Sequence, residues 1–105
     1  MPEFSTNFSG MKADRKLTDE ELKRAIRFDV AAEYEAVQLY LQLAESTDNR
    51  LAIAVLQDVA KEELEHAGEF LRLLKELAPD EQEHYDKGAQ EVEEMMRSLK
   101  AKKRK

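Results

Sequence analysis

The chain has no cysteine and no tryptophan, and its 105 residues include only two prolines, three glycines and two histidines. Without cysteine it can form no disulfide, thiolate zinc site, iron–sulfur cluster or rubredoxin-type electron donor of its own, which leaves histidine and carboxylate chemistry. Long apolar runs are missing too. None approaches the roughly 18–20 residues of a membrane span, and the first residues lack a signal peptide's apolar segment, so no membrane contact is expected and the expected compartment is the cytoplasm. A domain this small struggles to bury enough apolar surface alone, so self-association is expected.

Acid is what the chain has in excess. Leu17 to Leu99 carries 21 acidic and 9 basic residues, whereas the two ends together carry 2 acidic and 8 basic. Such a body repels nucleic acid and gathers cations. The basic tail, 101–105, reads as a charged, frayed helix end rather than a nucleic-acid contact. At the other end, 1–16 has no helical period and collects Pro2, Ser5, Thr6, Asn7, Ser9 and Gly10, so it reads as a flexible arm, with Met11 an alternative start.

The domain between them, 17–100, reads as all-α. Leu17-Thr18-Asp19-Glu20-Glu21-Leu22 is a helix start with Thr18 as cap and Glu21 as the acid of a capping box. The first helix should run to about Ser46, and Thr47-Asp48-Asn49-Arg50 is short enough to force an antiparallel hairpin with a second helix from about Asn49 to Leu77. After Pro79, Asp80 and Glu83 signal a third helix to about Lys100, weakened by Gly88. Its Val92, Met95, Met96 and Leu99 are expected to pack on a neighbouring chain.

Acids interrupt the apolar stripes of the hairpin. On the first helix the stripe reads Leu22, Ile26, Val30, Glu33, Val37, Tyr40, Ala44, and on the second Leu56, Val59, Glu63, His66, Phe70, Leu73, Leu77. A buried carboxylate is costly unless compensated, and a bound metal compensates it. Glu33 lies as far before the turn as Glu63 and His66 lie after it, so all three reach one height. Tyr40, two turns on, is placed to support a carboxylate ligand. Glu81 and His84 repeat the Glu-x-x-His spacing, but the nearby apolar positions Tyr85, Ala89, Val92, Met96 and Leu99 run out of phase with them, and that pair reads as solvated.

One Glu plus one Glu-x-x-His is half of a di-iron carboxylate centre, whose complete four-helix form needs two of each. A two-fold dimer would therefore complete both a ferritin-like four-helix bundle and its site, with Glu33, Glu63 and His66 contributed twice. The expected seam is Ile26, Val30, Val37, Leu56, Val59, Phe70 and Leu73. Oxygen-rich ligation with one imidazole per metal suits iron or manganese, and two iron(II) ions together can pass two electrons to dioxygen or peroxide, which makes ferroxidase the expected activity.

From about Leu22 to Met96 the chain also resembles the encapsulated ferritins, ferritin-like cargo of encapsulin nanocompartments. The resemblance is carried by Ala32-Glu33-Tyr34-Glu35-Ala36-Val37 with Tyr40 and by Glu62-Glu63-Leu64-Glu65-His66-Ala67. It implies that Glu33, Glu63 and His66 are di-iron ferroxidase ligands at a subunit interface, that Glu35 belongs to a site through which metal reaches them, that dimers form a decameric ring, and that oxidised iron is stored inside an encapsulin shell in the cytoplasm. The chain departs from the family at Ala32, where a second acid is frequent, at Leu39, where an aromatic is frequent, and in its basic last residues, which lack a Leu/Ile-Gly-type targeting tail. The alternatives are a rubrerythrin-like peroxidase or manganese site, and a metal-free helical scaffold dimer in which the three residues form a polar cluster.

Overall fold

The computed structural model of the protein describes residues 14–103. Most of the expected arm and the last two residues of the basic tail lie outside that range. Three helices follow in order, α1 (Asp19–Glu45), α2 (Arg50–Leu77) and α3 (Glu81–Lys103), and there is no strand among the described residues.

Local chemistry sets the ends. The Thr18 hydroxyl accepts from Glu21 N–H at 3.2 Å while the Glu21 carboxylate accepts from Thr18 N–H at 2.9 Å, the reciprocal bonding of a capping box. Arg15 adds a two-pronged ion pair to the same carboxylate, at 2.7 and 2.6 Å. These bonds, Arg15 first and then the Thr18 backbone, hold the Glu21 carboxyl at about 2, below its ordinary 4.5. A carboxyl held low in the folded state adds stability above its unfolded value, and that contribution disappears as pH falls through the folded value. Helicity followed by circular dichroism should accordingly decline between about pH 4.5 and 2, and Glu21→Gln should flatten the Glu21 part of that decline. The Asn49 side chain caps α2, accepting from Ala52 N–H at 3.0 Å, so the helix begins at Arg50, within a residue of the expected start.

α1 and α2 pack along their length as an antiparallel hairpin. The core consists of Ile26, Val30, Val37 and Ala44 on α1, Ala60, Ala67 and Leu74 on α2, and Ala78 at the end of α2. On α1 this is the expected stripe. On α2 the buried line runs one residue further round than expected, at seven-residue intervals through Ala60, Ala67 and Leu74. The expected stripe of Leu56, Val59, Glu63, His66, Phe70 and Leu73 forms the half-open margin beside it. Two alanines facing α1 allow close helix approach, which the bulkier side chains of the margin would prevent. The expected seam is corrected accordingly: Ile26, Val30 and Val37 are used up inside the hairpin.

α3 departs from the expectation in two ways. Gly88 does not interrupt it, since the helix runs unbroken from Glu81 to Lys103, three residues past Lys100. It buries no residue. An Arg27–Glu81 ion pair ties its first turn to α1, and the described chain measures 61 × 46 × 20 Å, an elbow rather than a three-helix bundle.

Candidate metal centre

Glu33 comes from the middle of α1, and Glu63 and His66 from the middle of α2, one turn apart. The antiparallel hairpin brings them level. His66 Nδ1 lies 3.5 Å from Glu63 Oε2 and 3.8 Å from Glu33 Oε2, and one ligand atom from each of the three falls within 4.8 Å of the others. Those separations are too long for good hydrogen bonds. They are close to the spacing of two ligands on one ion, which at bond lengths of about 2.0–2.2 Å stand up to about 4.4 Å apart.

Burial divides the three residues by type. The side chains of Glu33 and Glu63 are sheltered, at 18 % and 17 % exposure, whereas His66 is 48 % exposed. Glu33 Oε2 is buried from solvent and accepts no hydrogen bond. A carboxylate oxygen left in that state costs about 1–3 kcal/mol or more, and a cation is the partner that best removes the cost. Two carboxylates and one imidazole, free of thiolate, form a donor set suited to iron or manganese. The imidazole opens the cluster on one side, along the margin of α2 that the hairpin leaves uncovered.

The remaining sequence candidates take other positions. Glu35 is half-buried, but two residues from Glu33 on a helix it projects from a different side, and it stands outside the three-residue group. Tyr40 is half-buried on the Glu33 face of α1. Glu81 pairs with Arg27 and accepts the Tyr85 hydroxyl, so its charge is already compensated, and His84 is exposed. Sequence reasoning missed the Arg27–Glu81 pair because its members lie 54 positions apart and no local pattern connects them. Among the described residues, Glu33, Glu63 and His66 are the group of three or more metal-type ligands.

Comparison with known proteins places this geometry in context. The model of the rubrerythrin family matches residues 14–104. The encapsulin nanocompartment cargo protein EncC of Myxococcus xanthus is 46% identical over 70 residues, 67% of this chain and 54% of its own length. A ferritin-like–encapsulin shell fusion protein of Pyrococcus furiosus is 36% identical over 92 residues, 88% of this chain and 27% of its own length. The chain thus spans about half of the first relative and about a quarter of the second. The crystal structure of the encapsulated ferritin domain from Pyrococcus furiosus superposes with a TM-score of 0.79 at 36% identity, covering 88% of this chain and 94% of that one.

Proposed function

Because the chain belongs to the rubrerythrin family, among its encapsulated ferritins, we propose that it is a ferroxidase whose di-iron site is completed by a second copy of itself. The observation that carries this reading is the convergence of Glu33, Glu63 and His66 from two helices on one patch, with the carboxylates sheltered and the imidazole open. Two copies related by a two-fold axis would supply four carboxylates and two imidazoles. Four negative charges balance two iron(II) ions, so the substrate pair can be held in a sheltered site at little electrostatic cost.

Iron(II) is the substrate, and dioxygen is the acceptor. Two iron(II) ions give up one electron each, and with two protons one dioxygen becomes one hydrogen peroxide. The chain's contribution is to hold two like-charged ions close together, which the carboxylates permit, and to orient them through His66, one turn along α2 from Glu63. The acidic body raises the local iron(II) concentration. Glu35 and Tyr40 are assigned supporting parts, Glu35 on the path by which metal arrives and Tyr40 beside the carboxylates. By its likeness to EncC and to the shell fusion protein, the protein acts as cargo of an encapsulin shell in the cytoplasm, where the oxidised iron is stored.

Oxygen uptake with iron(II) tests the proposal. The protein should speed iron(II) oxidation well above the rate of free iron in the same buffer, and Glu81→Ala and His84→Ala should leave that rate unchanged. No acceleration would overturn the reading. Rapid turnover with peroxide but none with dioxygen would favour a rubrerythrin-like peroxidase, served by an electron donor on another protein.

A further inference from the structure

α3 leaves a regular apolar stripe without a partner. Tyr85, Ala89, Val92, Met96 and Leu99 follow one another at steps of four and three, the spacing of a coiled-coil seam. Every one of them is exposed, with Val92, Met96 and Leu99 each more than half so. The helix is also divided by charge. From Glu81 to Glu94 it holds six acidic residues and one lysine, and from Met95 to Lys103 four basic residues and no acid.

A parallel partner of the same sequence would set acid against acid and base against base. An antiparallel one does the reverse, and the seam fits it in register. With Val92 opposite Met96 of the second copy, Ala89 falls opposite Leu99 and Tyr85 opposite the stem of Lys103. The flanking position Asp86 then meets Lys100, twice per pair by symmetry. Glu93 alone meets its own copy, beside the two-fold axis, and the two Asp86–Lys100 pairs offset that repulsion. We infer that α3 docks antiparallel on the α3 of a second copy of this chain, through the Val92–Met96 seam and the opposed charges of its two halves.

The inference does not depend on the ferroxidase reading, since α3 contributes nothing to the Glu33–Glu63–His66 group. It adds a second two-fold contact to the one proposed at that site, and a chain with two such contacts can assemble beyond a dimer.

The absence of native cysteine makes the test clean. The full chain is prepared as Ala89→Cys, as Leu99→Cys and as the two co-expressed, then treated with a short bis-maleimide, since in the antiparallel register these two positions face each other while like positions stand about 15 Å apart along the axis. Covalent pairs should appear in the co-expressed sample and not in either single variant. Cross-linking of each variant with itself would indicate a parallel pair and overturn the inference, as would no cross-linking in any sample. A charge exchange checks the register independently by light scattering: Asp86→Lys should lower the mass in solution at least twofold, and Asp86→Lys with Lys100→Asp should restore it. Unchanged mass in the first variant, or no recovery in the second, would overturn it. Circular dichroism of each variant confirms that the helices persist.

Discussion

Glu63→Ala and His66→Ala should each abolish rapid iron(II) oxidation while leaving the helical content intact. Changing a residue that merely supports a metal ligand commonly costs about 10- to 100-fold, so loss of a ligand itself should cost on the order of 100-fold or more. The fold should survive for a reason visible in the site. Neither residue belongs to the buried line of the hairpin, which runs through Ala60, Ala67 and Leu74, and removing a carboxylate from a sheltered pair removes a charge that itself needed compensation. Initial rates of iron(III) formation, read beside circular dichroism of the same samples, decide the matter. Rates within a fewfold of the parent in both variants would exclude the site, and loss of helix together with rate would make the residues structural.

The second large effect concerns where the iron goes. Each chain has one hairpin, and in the proposed dimer its uncovered α2 margin would be taken up by pairing. An assembly of such hairpins offers no evident closed cavity for a mineral. Excess iron(II) added in air to the purified protein should therefore be oxidised and then precipitate, with about one iron retained per chain, as half of a shared two-metal centre implies. Iron analysis of the soluble fraction after centrifugation measures this. Soluble particles holding hundreds of iron atoms, formed without a shell protein, would contradict it.

The residues of this site were legible because two independent patterns had to agree. Glu33 interrupts the α1 stripe and Glu63 and His66 interrupt the α2 stripe at the same distance from the turn, and the hairpin brings all three within reach of one ion. Capping chemistry at Thr18 and Glu21 was equally readable, since it depends on residues three apart. The rotation of α2 was not. Its buried line is made largely of alanines, whose weak hydropathy is overshadowed by the bulkier Val59, Phe70 and Leu73 beside them, although their size is what allows the helices to approach. The fate of α3 escaped local reasoning for a different reason. Gly88 weakens a helix on average by about 1 kcal/mol, too little to break one flanked by Glu, Gln, Met and Lys. The Arg27–Glu81 tie that anchors its first turn exists only once the hairpin has folded.

A ferroxidase centre shared between two chains, as proposed, would tie iron uptake to pairing. Native mass spectrometry after anaerobic loading with iron(II) tests it most directly, because it counts chains and metals in the same ion. Species with an even number of chains carrying one iron per chain are expected, with loss of that iron in His66→Ala. Iron bound at full occupancy to a single chain, or paired chains that take up none, would contradict it.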